Sequence, residues 1–184
     1  MKTFVTLFLK DKEQNKFLLD FFKGSIGANV VMVERNNLSF IFDENPELSF
    51  IDIANFINYE LLIPTKLFKA RAFNNEVELN NYLDMVDNVT FANINKDYFE
   101  ERDLVIHHLG DKELIKKMIL GVFYQDEMLD VVKEFLDCNM NISLASRNLY
   151  MHRNTVINKI DRFIEKTGYN IKEFKDAFVI YHLL

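Results

Sequence analysis

The stretch from residue 141 to residue 168 constrains this chain more than any other, because it holds two helical patterns joined by a very short turn. Ser143 is placed to cap the first helix, since its hydroxyl can accept a hydrogen bond from a free amide of the first turn. Leu144, Ala145 and Leu149 are predicted to face inward. The small side chain of Ala145 would let the two helices cross closely.

A second, longer helix is predicted from Arg153 to about Thr167. His152 stands where this helix needs an N-cap, and Gly168 can adopt the left-handed conformation that ends a helix. Its inward face is predicted from apolar residues at spacings of three and four, namely Val156, Ile160 and Phe163 or Ile164. This arrangement of a short helix, a turn and a longer helix is typical of a helix-turn-helix.

The outward side chains of this segment are of the types that read and hold DNA. Arg can pair with guanine and Asn with adenine in the major groove, while hydroxyls and lysines suit phosphates. Asn148 is also predicted to face outward. We predict base contacts from Arg153, Asn154 and Asn158, and backbone contacts from Thr155, Lys159 and Arg162, helped by Arg147 and His152.

The local charge agrees with a DNA partner. Residues 139–168 carry five Lys or Arg against two acids, a balance of +3 in a chain whose formal net charge is −6. Five cations in thirty residues are also ordinary on a solvated helix. The charge pattern alone therefore leaves a plain helical hairpin open as the alternative.

The C-terminal stretch from Met128 to Leu184 resembles the helix-turn-helix domain of PucR/CdaR-type bacterial transcription regulators. The resemblance rests on Leu129, Phe135-Leu136, Asn141-Ile142-Ser143, Ala145, Leu149, His152-Arg153-Asn154-Thr155 and Thr167-Gly168. The chain departs from that family at Ile157 and Asn158, where a basic residue and an aromatic residue are usual. The resemblance implies sequence-specific binding to double-stranded DNA. Because one recognition helix reads only a few base pairs, we expect a homodimer on a two-fold site.

The N-terminal part reads as an α/β domain in the order β-α-β-β-α-β, which is the ferredoxin-like order. The predicted strands cover 2–10, 30–34, 38–43 and 66–73, and the predicted helices cover 12–23 and 48–62. A further helix, 76–86, follows. We expect a tight hairpin at 35–37, because asparagine tolerates a positive φ.

This part also resembles a degenerate, shortened GGDEF-like domain. Its central hairpin reads Glu34-Arg35-Asn36-Asn37, without the glycine pair that lets a backbone approach a phosphate, and Glu34 and Asp43 are scattered rather than a metal pair. Nucleotide cyclisation is therefore not expected. Packing, dimerisation and ligand sensing remain open as roles of this domain.

The remainder is predicted to be helical, over 98–109, 112–124, 126–138 and 171–184. The last of these helices presents an apolar stripe of Phe174, Ala177, Phe178, Ile180, Tyr181 and Leu184. Most of this stripe should cover the back of the second motif helix, and any surplus could form a dimer interface. The fold class is thus α+β, with an N-terminal ferredoxin-like domain over 1–92 and an all-helical domain over 93–184 that carries the motif at 141–168.

Several classes of function are disfavoured by residue content. Cys138 is the only cysteine, which excludes an intramolecular disulfide, suits a reducing cytoplasm and leaves no zinc pattern. No apolar run approaches the roughly 20 residues of a membrane span. No catalytic triad, nucleophile elbow or glycine-rich phosphate loop is present among five glycines. We expect no enzyme activity, no cofactor and no metal.

These observations predict a cytoplasmic DNA-binding transcription regulator that acts as a homodimer. Two other readings stay open. The helical hairpin could bind a protein partner instead of DNA, or the N-terminal domain could make the chain mainly a sensor of a small-molecule effector that the sequence does not identify.

Overall fold

The computed structural model describes residues 2–9, 12–26, 30–34, 38–43, 49–73, 75–86, 95–107, 111–124 and 126–184. The chain divides into two compact units, Met1–Asp103 and Leu104–Leu184. The boundary predicted between residues 92 and 93 lies outside the described residues and stays a prediction, as does the hairpin turn at 35–37.

The first unit has the predicted ferredoxin-like order. Its elements are β1 (Lys2–Leu9), α1 (Asn15–Ile26), β2 (Val30–Glu34), β3 (Leu38–Asp43), α2 (Phe50–Asn55) and β4 (Thr65–Phe73). The four strands run antiparallel to their neighbours in the order β2-β3-β1-β4. The predicted α+β fold class is therefore confirmed, and helix α3 (Glu76–Val86) has the bounds that the apolar pattern indicated.

Both faces of the central strand are buried. Val5 and Leu7 of β1 lie in one apolar core with residues of α1, α2 and the neighbouring strands, where the rings of Phe22 and Phe40 stack with centroids 4.5 Å apart. The alternate residues of β1 are buried too, and among them the Thr6 hydroxyl lies 3.2 Å from that of Ser39. Burying a hydroxyl without a hydrogen-bond partner costs free energy, and the contact between Thr6 and Ser39 avoids that cost.

Helix α2 begins at a serine cap and ends in an unusual turn. The Ser49 hydroxyl accepts a hydrogen bond from the Asp52 amide, and the chain after Asn55 continues as a π-helical turn, Phe56–Glu60. The Asn58 side chain ties this turn to β4, because its amide nitrogen donates to the carbonyl of Ala54 and to that of Thr65, and its oxygen accepts from the Thr65 amide. The predicted helix over 48–62 is thus confirmed with shorter bounds.

The predicted helix over 98–109 was wrong at its start. A fifth strand, β5 (Tyr98–Glu100), pairs in parallel with β4, and α4 (Glu101–Ile106) begins only after it. The Asp97 carbonyl accepts a hydrogen bond from the Leu67 amide, and the Asp103 carboxylate accepts one from the Glu100 amide. Pairing with β4 therefore overrides the local helical pattern.

The second unit is helical. It begins within α4 and continues with these further helices: α5 (Lys112–Leu120), α6 (Met128–Asp137), α7 (Ile142–Asn148), α8 (Arg153–Thr167) and α9 (Phe174–Leu183). The Asp111 carboxylate caps α5, which ends at Leu120 rather than at the predicted residue 124. Gly121, with a φ of 52°, follows and begins a short 3-10 turn, Gly121–Phe123. Among the described residues, no helix is both long enough and apolar enough to cross a membrane.

The Phe22–Phe40 stack generates a prediction about stability. Phe40→Ala removes a side chain with 0% exposure, and we expect it to lower the free energy of unfolding by about 3–5 kcal/mol, since the sheet and helix can only partly collapse onto the cavity. Urea denaturation of the full chain would measure the loss. Phe17→Ala is the matched control, because that ring is 53% exposed; an equal loss in the two variants would contradict the prediction.

Candidate nucleic-acid interface

The first helix of the motif is held by an asparagine cap. The Asn141 side chain accepts a hydrogen bond from the Leu144 amide at 3.1 Å, so the predicted cap at Ser143 was wrong by two residues. Ser143 lies inside α7, where its carbonyl accepts from the Ser146 hydroxyl. Asn and Ser cap helices about equally well, so propensity did not separate the two positions.

Helix α7 packs through a very small side chain. Ala145 is fully buried, as predicted, whereas Leu144 is 38% exposed and was wrongly predicted to face inward. Helices α6, α7 and α8 pack against one another. A methyl group at position 145 lets the backbones of this cluster approach closely.

The turn between α7 and α8 is closed by backbone hydrogen bonds. The Met151 amide donates to the Ser146 carbonyl at 2.9 Å, and the Tyr150 amide donates to the Arg147 carbonyl at 3.1 Å. Tyr150 has a φ of 52°. This is the Schellman pattern, in which the residue after the cap adopts a left-handed conformation.

Helix α8 has the bounds that the sequence predicted. The Nδ1 atom of His152 accepts a hydrogen bond from the Asn154 amide at 3.3 Å, which confirms the predicted N-cap, and Gly168 ends the helix with a φ of 74°. Val156, Ile160 and Phe163 are fully buried. The back of α8 is therefore fixed against the unit, and its opposite face is left to solvent.

All eight residues predicted to contact DNA lie on α7, on the α8 cap or on α8. Their side chains are exposed except that of Lys159, which is half-buried; the set is Arg147, His152, Arg153, Asn154, Thr155, Asn158, Lys159 and Arg162. Asp161, one of the two acids in residues 139–168, forms an ion pair with Lys172 at 2.7 Å. That ion pair reduces the negative charge that would oppose a polyanion.

Asn148 is exposed, as predicted, and its side chain is also hydrogen-bonded to the preceding helix. Its amide nitrogen donates to Glu134 Oε1 on α6 at 2.7 Å, and it lies 3.6 Å from Cys138 Sγ. The Cys138 thiol also donates a hydrogen bond to Glu134. The pKa of Glu134 is lowered mainly by the hydrogen bond from Asn148 and to a smaller extent by the one from Cys138. Burial raises the pKa of Cys138. Fourteen residues separate Glu134 from Asn148, so no local pattern could have indicated their contact.

The face that α9 buries differs from the predicted one. Phe174, Phe178 and Tyr181 are 77%, 48% and 53% exposed, so half of the predicted apolar stripe is not buried and the expectation that most of it would be covered was wrong. The helix instead buries a face that includes Asp176, Ala177, Val179, Ile180 and Leu183. The Asp176 carboxylate accepts a hydrogen bond from the Asn170 amide at 2.8 Å, so this buried acid has a polar partner.

No cluster of three or more His, Cys, Asp or Glu side chains suited to a metal ion occurs within the described ranges.

Comparison with known proteins identifies the C-terminal part. Residues 128–184 match the family model of the PucR C-terminal helix-turn-helix domain, which confirms the resemblance of this part. The GGDEF-like resemblance of the N-terminal part is not confirmed.

Two individual proteins are also similar. The chain is 36% identical over 59 residues to the uncharacterized protein YxkF of Bacillus subtilis (strain 168), and the match covers 32% of this chain but only 20% of that relative. The crystal structure of a regulator of polyketide synthase expression from Bifidobacterium adolescentis aligns with 99% of this chain and 78% of its own, at 14% identity and a TM-score of 0.44. That similarity is too low to carry an inference about fold or function.

The close packing at Ala145 generates a prediction. Ala145→Leu adds three heavy atoms to a fully buried side chain, which its neighbours must move to accommodate, and we expect a loss of about 1–3 kcal/mol in the free energy of unfolding. Thermal unfolding of the full chain would measure it. Leu144→Ala, at an exposed position of the same helix, should change stability far less; the prediction fails if Ala145→Leu is neutral.

The Glu134–Asn148 contact generates a pH prediction. Because the folded state lowers the pKa of Glu134, its stabilising effect is present above the pKa of the unfolded chain and is lost as pH falls through the lower folded value. The difference in urea midpoint between the wild type and Asn148→Ala should therefore shrink as pH falls from about 7 to about 3. Asn158→Ala, which removes a like side chain from the exposed face of α8, should show no such pH dependence. A constant difference for Asn148→Ala would contradict the assignment.

Proposed function

We propose that this protein is a DNA-binding transcription regulator whose helix α8 enters the major groove at a specific sequence. The observation that carries the proposal is the two-sided character of α8. Its back is fully buried and its exposed face carries Arg and Asn in the first turns, within a PucR-type helix-turn-helix. A recognition helix needs both properties, because base edges are read by side chains held on a fixed element.

The side chains divide by chemistry into two roles. Arg153, Asn154 and Asn158 have the forked groups that distinguish guanine and adenine in the major groove. Thr155, Lys159 and Arg162 are suited to phosphates, and so are Arg147 and His152 at the end of α7 and at the α8 cap. The positive end of the α8 dipole, at the helix N-terminus, favours a phosphate as well.

Charge distribution supports the same docking face. The stretch 139–168 has a balance of +3 although the whole chain has −6, so the remainder of the chain repels DNA. Such an asymmetry orients a protein during its encounter with a polyanion.

One recognition helix contacts only a few base pairs, so we propose a homodimer on a two-fold site. The activity proposed is non-enzymatic and cytoplasmic. The first unit would serve packing, dimerisation or the sensing of a small-molecule effector.

The proposal predicts salt-dependent DNA binding by the full chain. We expect fluorescence anisotropy of a labelled random-sequence duplex to show binding that weakens steeply between two salt concentrations, because each phosphate contact releases counterions. Arg153→Glu with Lys159→Glu should lower the affinity more than about tenfold at low salt, since two attractive charges become repulsive.

The control is Lys112→Glu with Lys175→Glu, which alters the net charge equally at exposed positions on α5 and α9. It should retain most of the affinity. Equal losses of affinity in the two double variants would mean that binding depends on net charge and not on the exposed face of α8. Absence of binding by the wild type at low salt would refute the proposed function.

A further inference from the structure

Tyr150, in the turn between α7 and α8, is the most exposed large apolar or aromatic side chain of the described residues, at 97%. A side chain so exposed contributes almost nothing to packing. Its presence is therefore not accounted for by the stability of the motif.

The backbone at this position makes the choice of tyrosine costly. Tyr150 is the residue after the α7 cap and has a φ of 52°, a conformation that L side chains disfavour and that glycine or asparagine accepts readily. The same unit uses the favoured residues at the ends of α6 and α8, where Asn139 has a φ of 52° and Gly168 a φ of 74°. Met140 is also left-handed, but it is half-buried and so can pack.

The sequence on both sides of Tyr150 favours an anion. No Asp or Glu occurs from residue 138 to residue 160, whereas Arg147, Arg153 and Lys159 fall in that stretch. The turn leads within two residues to His152, the cap of α8. A phenol hydroxyl is a hydrogen-bond donor, and phosphate oxygens are acceptors that protein hydroxyls commonly contact beside the groove.

We infer that Tyr150 is a DNA-backbone contact, with its hydroxyl donating to a phosphate oxygen at the edge of the groove that α8 enters. The inference rests on the proposed function and adds a residue to it. The contact is independent of sequence, because phosphates carry no base identity. The side chain thus serves binding at a position where the fold alone would favour glycine.

The test compares Tyr150→Phe, which removes only the hydroxyl, with Tyr150→Gly, which removes the side chain and relieves the backbone. We expect Tyr150→Phe to weaken duplex binding by about three- to tenfold, which corresponds to the net contribution of one typical hydrogen bond, and Tyr150→Gly by at least as much. The slope of affinity against salt should not change in Tyr150→Phe, because a neutral donor releases no counterion. Neither variant should unfold at a lower temperature than the wild type, and Tyr150→Gly should unfold at a higher one.

Two controls match the two changes. Tyr181→Phe removes a hydroxyl from a half-exposed tyrosine on α9, and Asn139→Gly alters another left-handed position; both should bind like the wild type. If the wild type binds DNA and both Tyr150 variants bind equally well, the inference is overturned while the proposed function stands. If the wild type does not bind DNA, the proposed function fails and the inference fails with it.

Discussion

The burial of one face of α8 is the interaction on which the C-terminal unit depends. Val156, Ile160 and Phe163 are fully buried, and side chains of this size contribute about 1.5–3 kcal/mol each when removed from water. Three of them approach the net stability of a small domain, which is about 5–15 kcal/mol. The rotation of α8 about its axis is therefore fixed by its back, and the exposure of Arg153 and Asn158 follows from it.

Local signals were sufficient to predict α8 because every determinant lies within the segment. The cap at His152, the apolar spacing and the left-handed Gly168 are all read from neighbouring residues. The same reasoning failed where a distant partner decides. It did not predict the hydrogen bond between Asn148 and Glu134, and it did not predict that α9 buries Val179 and Leu183 while Phe174 and Phe178 stay exposed. The positions of the eight residues predicted to contact DNA could thus be predicted from the sequence, while their roles in recognition stay a prediction.

The first unit shows the same division between local and non-local causes. The order of four strands and two helices follows from alternation and helical spacing, and it matches the sheet that forms. The short β5 could not be predicted, because Tyr98–Glu100 becomes a strand only by pairing with β4. Three residues are too few to show the alternation that predicts a strand, and the helical spacing that follows them predicts a helix instead.

The π-helical turn after α2 has a consequence for how this part of the chain can vary in length. Such a turn is an α-helix with one residue inserted, and it shifts every later side chain around the helix axis. Here Asn58 lies inside the insertion and spans from Ala54 to Thr65 by hydrogen bonds. An insertion or deletion between those two residues would break this span, so among related chains the segment can accept substitutions far more readily than changes of length.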